Sequence, residues 1–81
     1  MAIIRNLVQG HQSVQAHPTN VEGYVQILQD DSGRPLVHVS TWGSDNRKTP
    51  KKQSQVIQFD ENSAAELVKY FVRAFGPDIL S

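Results

Sequence analysis

Apolar and polar residues alternate in three stretches of this chain, and a fourth stretch follows the longer period of a helix. In residues 23–29, Val25 and Ile27 fall on one side while Tyr24, Gln26 and Leu28 fall on the other. In residues 36–42, Val37, Val39 and Thr41 alternate with Leu36, His38, Ser40 and Trp42. A period of two is the mark of a strand with two distinct faces. Asp30-Asp31-Ser32-Gly33, between these stretches, carries turn chemistry, and Gly33 can take positive φ. Pro35 opens the second strand, where a missing N–H is tolerated. The two stretches therefore read as a hairpin. Residues 53–59 give a third clear strand, with Ile57 and Phe59 on one face and Val56 and Gln58 on the other.

After Phe59 the period lengthens. Ala64, Leu67, Val68, Phe71, Val72 and Phe75 repeat at helical spacing, with Glu66, Lys69 and Arg73 on the wet side. Asp60 can cap this helix. Ser63 with Glu66 forms a second capping-box pattern one turn later, so two starts are open. Gly76-Pro77 stops it. Residues 2–8 suggest a short strand. Residues 10–20, rich in Gln and His and holding Pro18, suggest a loop or irregular edge segment. Residues 43–52 form a polar connection too long for a tight hairpin.

These periods combine into one α+β domain over residues 1–81, an antiparallel β-sheet of about four strands followed by one C-terminal α-helix. The helix stripe is expected to cover a sheet face made of Val25, Ile27, Val37, Val39, Ile57 and Phe59. Tyr24, Gln26, His38, Ser40, Trp42 and Gln58 would then form the outer face, a mixture suited to binding rather than to core.

Composition narrows the picture. A chain of 81 residues buries a modest share of its surface. Its hydrophobic content of 38% is lean for a monomeric globule, and a homodimer would compensate. The absence of cysteine excludes disulfides, thiolate metal sites and a cysteine nucleophile. No apolar run approaches the ~18–20 residues of a membrane span, and Met1-Ala2-Ile3-Ile4-Arg5 turns polar too soon for a signal peptide. A cytoplasmic location is the expectation, or a nucleoid or nuclear one depending on the source. Eight basic and eight acidic residues cancel, which argues against a strong, non-specific duplex-DNA binder. A local binding surface is still open, because the field near a site is what a ligand meets.

The most informative local chemistry is Arg47-Lys48-Thr49-Pro50-Lys51-Lys52, on the connection between two strands and just after the only tryptophan, Trp42. Cations beside an indole suit a ligand with phosphates and flat bases, although short charge runs are commonly solvated loops. Trp42 and Tyr24 could stack bases, and Trp42 could equally cover a sheet edge or a dimer contact. His11, His17 and His38 fit no common zinc spacing, and His38 reads better as a hydrogen-bonding residue of the outer face. Asp30-Asp31 lies in a turn and Asp60-Glu61 at a helix start, where negative charge suits the dipole. There is no nucleophile elbow and no phosphate-cradling glycine loop. The expectation is no enzyme, no metal and no cofactor.

On these elements the stretch 24–71 resembles the transcriptional coactivator family called positive cofactor four. Tyr24-Val25-Gln26-Ile27 is similar to that family's opening strand. Gly33-Arg34-Pro35-Leu36-Val37-His38-Val39 resembles its turn and second strand. Trp42 stands where the family places an aromatic pair, and Thr49-Pro50-Lys51-Lys52 resembles its basic connection. Ile57-Gln58-Phe59-Asp60 resembles the step into its helix, with Leu67 and Phe71 at helix core positions. The resemblance implies a homodimeric, sequence-tolerant binder of single-stranded DNA, or RNA, acting in transcription, replication or repair. Arg34, Arg47, Lys48, Lys51 and Lys52 would contact phosphates. Trp42 would stack a base with help from Tyr24, and His38 or Gln26 would hydrogen-bond. The alternative is a small protein–protein interaction or dimerisation domain with no nucleic-acid role, a reading that zero net charge and a Gln-rich surface favour.

Overall fold

The computed structural model describes residues 1–42 and 53–81, the side chains of Trp42, Gln53 and Ser54 excepted. Four strands, β1 (Ala2–Ile4), β2 (Gly23–Gln29), β3 (Pro35–Trp42) and β4 (Gln53–Phe59), precede one helix, α1 (Glu61–Phe75), and a closing 3-10 turn at Pro77–Leu80. The fold class is α+β, with a four-stranded sheet in the order β1-β4-β3-β2.

The β2–β3 hairpin follows from its turn. The Asp30 carboxylate accepts the backbone N–H of Ser32 at 2.8 Å and of Arg34 at 3.0 Å. Gly33 takes φ 83, the left-handed region that only glycine enters at no steric cost. Register then runs without a slip from Gln29 opposite Pro35 to Gly23 opposite Thr41. β3 and β4 pair antiparallel as far as Thr41 opposite Gln55, where a bulge shifts Trp42 onto Gln53. A bulge of this kind bends a strand near its end and breaks strict alternation.

The N-terminal strand departs from the expected antiparallel arrangement. It is three residues long and pairs parallel to β4, Ala2 opposite Ile57 and Ile4 opposite Phe59. Three residues are too few to show a period, so sequence pattern carries no sign of this direction. The consequence is large. Chains leaving β1 and β4 run on side by side beyond the same end of the sheet. One becomes an extended strap, residues 5–10, and the other becomes α1.

The helix begins at Asp60 and not at Ser63. Asp60 Oδ1 accepts the Ser63 N–H at 2.9 Å, and Ser63 Oγ accepts the Asp60 N–H at 3.1 Å. Ser63 is thus the second half of a reciprocal cap rather than a rival for the first, and it is fully buried. Glu66, expected on the wet side, is half-buried because its Oε1 accepts the Leu7 N–H at 3.0 Å. Asn62 Nδ2 donates to the Arg5 carbonyl at 2.9 Å. Gly76, at φ 90, ends the helix as expected, donating its N–H to the Val72 carbonyl at 2.7 Å.

Burial does not follow the expected division of the sheet into a covered and an outer face. Among the described residues Leu36, 4% exposed, is the only large hydrophobe that is buried, and Ser40 is 2% exposed. Both sit on the face that was expected to be outermost. The face assigned to the core is open, with Val25, Ile27 and Ile57 exposed. Its presumed cover is elsewhere: the principal sheet contact of α1 is with β4 alone. Val68, Phe71 and Phe75 of the stripe are exposed too.

Candidate nucleic-acid interface

The face carrying Leu36 and Ser40 gathers several of the residues singled out above. Across the hairpin Tyr24 lies opposite Ser40, and Gln26 opposite His38. On the other side of β3, Gln58 lies opposite His38. Residues directly opposite in neighbouring strands share a face, so Tyr24, Gln26, His38, Ser40 and Gln58 form one strip. His38 Nδ1 and Gln58 Nε2 are 2.9 Å apart, and both residues are half-buried. With the Gln58 amide donating, the neutral imidazole carries its proton on Nε2. His38 therefore has a structural partner already, as the hydrogen-bonding reading anticipated.

Tyr24 is 39% exposed and sits toward the end of the sheet at which β3 finishes and β4 begins. The connection that carries the basic cluster leaves and returns at that end, since Trp42 pairs with Gln53. Arg47, Lys48, Lys51 and Lys52 lie outside the described residues, as does the side chain of Trp42.

Arg34 belongs to a different place. It precedes Pro35, so five residues of β3 separate it from Ser40, and the six steps at ~3.3 Å each span about 20 Å. There Arg34 lines a cleft of about 590 Å³ with Arg5, Asp30, Leu36, Asp60 and Asn62. Arg5 was not a candidate from sequence. It reaches Asp60 Oδ2 at 3.1 Å across a span of 55 residues, a pairing with no local sequence signal. The Ser63 N–H holds the Asp60 carboxyl below its ordinary range, with Arg5 adding to that pull against partial desolvation. Asp30, Asp60 and Glu61 outnumber Arg5 and Arg34 in this cleft, so it offers no net attraction to an anion.

A second cleft, about 540 Å³, lies between the strap and the outer half of α1, bordered by Leu7, Gly10, Leu67, Tyr70, Arg73 and Ala74. The Arg73 guanidinium stands 5.0 Å above the Tyr70 ring, a cation–π contact on the helix surface. No three His, Cys, Asp or Glu side chains among the described residues group as a metal site. No helix among them is long and apolar enough to cross a membrane. Comparison of the chain with protein families, curated proteins and solved structures returns no significant match.

Proposed function

We propose that this protein binds single-stranded nucleic acid, DNA or RNA, with little sequence preference and without catalysing a reaction. The observation that supports this reading is one of placement. Strand register sets Tyr24 and the His38–Gln58 pair on one strip, and the connection bearing Arg47, Lys48, Lys51 and Lys52 departs from the Tyr24 end of it. Bases would stack on the aromatic side chains there, and the cations would follow the phosphates. Arg34, at the far end, would enter only as a contact to an extended strand. A role in transcription, replication or repair, beside the positive cofactor four family, belongs to the same proposal.

The experiment is fluorescence anisotropy of labelled oligo-dT and of a matched duplex at low and moderate salt. Preferential binding of the single strand, weakening steeply with salt, is the expected result. Each phosphate neutralised contributes about 0.7 to the log–log salt slope, so Lys51→Ala with Lys52→Ala should flatten it by about 1.4. An unchanged slope and affinity in the double variant would remove the cluster from the reading. Absence of binding at tens of micromolar protein in low salt would discard the reading and leave the alternative, a protein-interaction domain. The exposed apolar surfaces on the sheet and on α1 favour that alternative.

A further inference from the structure

One edge of the sheet lacks the features that ordinarily close such an edge. In the order β1-β4-β3-β2, β2 pairs with β3 alone among the described residues. Proteins guard edge strands with shortness, a proline, a charged side chain or a bulge, because the unpaired backbone groups otherwise template a further strand. β1, at the opposite edge, is three residues long. β2 is seven residues long, holds no proline and no charge, and keeps its register with β3 without a shift. All seven of its residues are exposed.

The hairpin turn fixes which backbone groups are open. The Asp30 N–H donates to the Arg34 carbonyl at 2.9 Å, so these two residues form a hydrogen-bonded pair. Bonded and non-bonded pairs alternate along an antiparallel ladder. The next bonded pairs are therefore Leu28 with Leu36, Gln26 with His38 and Tyr24 with Ser40. Pro35, opposite Gln29, falls on a non-bonded position, where its missing N–H leaves no gap toward β2. Gly23, Val25, Ile27 and Gln29 accordingly turn their N–H and C=O groups away from β3, at intervals of about 6.8 Å. Beside them stand the side chains of Val25, 66% exposed, and Ile27, 79% exposed, on the open face of the sheet.

We infer that this edge is a peptide-binding site, at which an extended segment of another protein adds as a strand beside β2. Open main-chain groups in a row supply the affinity for a second backbone, and the flanking side chains supply the selectivity. Partner residues beside Val25 and Ile27 share their apolar face, so every second residue of the segment is apolar. Charge sets its ends. Glu22 precedes the strand and Asp30-Asp31 follows it, with Glu22 and Asp31 exposed. Among the described residues the only ion pair is Arg5 with Asp60, so neither end of β2 is neutralised by one. The segment that fits is uncharged and alternating in its middle, with Lys or Arg at both ends. The same charges disfavour a second copy here. Antiparallel pairing of residues 23–29 with themselves sets Glu22 of one copy opposite Asp30 of the other, like against like at both ends. The site uses the backbone of β2 and does not rest on nucleic-acid binding.

The test uses the full chain without nucleic acid, so its failure is separate from that of the oligo-dT experiment. The probe is a labelled peptide, Lys-Val-Thr-Val-Thr-Val-Thr-Val-Lys, titrated with the chain and followed by anisotropy. Saturable binding in the micromolar range is expected. The same peptide with Glu at both ends should bind about tenfold more weakly. Val25→Pro removes an N–H that the hairpin does not use, so it should keep the circular dichroism of the parent and lose the peptide. Gln26→Pro removes an N–H bonded to β3 and should instead destabilise the hairpin. If Val25→Pro fails to fold, Glu22→Lys with Asp31→Lys decides the matter, and that variant should prefer the Glu-ended peptide. Absence of binding at hundreds of micromolar peptide would overturn the proposal. So would undiminished binding by folded Val25→Pro, or an unchanged preference in the charge-reversed variant. A doubled mass that Val25→Pro returns to monomer would also overturn it, because a second copy would then hold the edge.

Discussion

Asp60 joins three roles in one side chain, and two substitutions separate them. It caps α1, completes the reciprocal bond with Ser63, and receives Arg5 from the strap. Its folded carboxyl titrates below its ordinary value, chiefly because the Ser63 N–H bonds the charged form. A depressed folded pKa means that the associated stability is complete above the unfolded value, about 3.9, and is lost as pH falls through the folded value. Asp60→Asn keeps a capping oxygen but has no charge to titrate. Acid titration followed by circular dichroism should therefore show a shallower loss of stability below pH ~4 in that variant than in the parent. An identical acid limb would mean that Asp60 is not linked to folding. Ser63 is the complementary test. Ser63→Ala, at a fully buried residue, leaves the part-buried Asp60 N–H without its acceptor. A loss of about 1–3 kcal/mol is expected in urea denaturation, with little change in m-value.

Elements were legible in this sequence wherever one residue fixes a backbone state. Gly33 takes the positive φ expected of it, Gly76 stops the helix as expected, Asp60 caps, and the hairpin register follows from the five residues between Gln29 and Pro35. The strip of Tyr24, His38, Ser40 and Gln58 was legible for a similar reason, because alternation assigns residues to faces. Alternation cannot say which face is covered. Leu36 and Ser40 are buried on the side of His38, while Leu28 and Tyr24 on that same side stay exposed at the β2 edge. The deciding contacts join residues 55–59 positions apart, Arg5 to Asp60 and Asn62, and Leu7 to Glu66. No local pattern encodes such pairs. Because the strap is tied to α1 by hydrogen bonds, the Leu7–Glu66 bond can be tested as an element-level device. Glu66→Ala should speed amide exchange at Leu7 by about fivefold to tenfold, the size of one lost hydrogen bond at roughly 1–1.5 kcal/mol. Glu66→Gln, which retains an acceptor, should change it little. Equal protection in the alanine variant would show that packing alone holds the strap.

At the scale of the whole molecule, a chain with one buried large hydrophobe among its described residues has little apolar burial to set against the entropy of ordering 81 residues. Apolar burial is the dominant favourable term in folding, and most of the large apolar side chains on β2 and α1 are still in contact with water. Folding and association are then expected to be one transition rather than two. Such a transition depends on concentration, since dilution favours the unfolded chains. Each tenfold dilution weakens a dimer by about 1.4 kcal/mol, which for a pair of chains of this length corresponds to roughly 3–5 °C in Tm. Thermal unfolding across a hundredfold range of protein concentration should therefore move the midpoint by about 6–10 °C. Ile27→Lys, on a surface that a lone chain leaves open, should lower Tm by several degrees and steepen its dependence on concentration. If the chain folds alone, the midpoint stays fixed on dilution and Ile27→Lys is close to neutral, within about 0.5 kcal/mol, as surface substitutions are. The two outcomes separate a fold completed by its own copy from one that is stable despite its open faces.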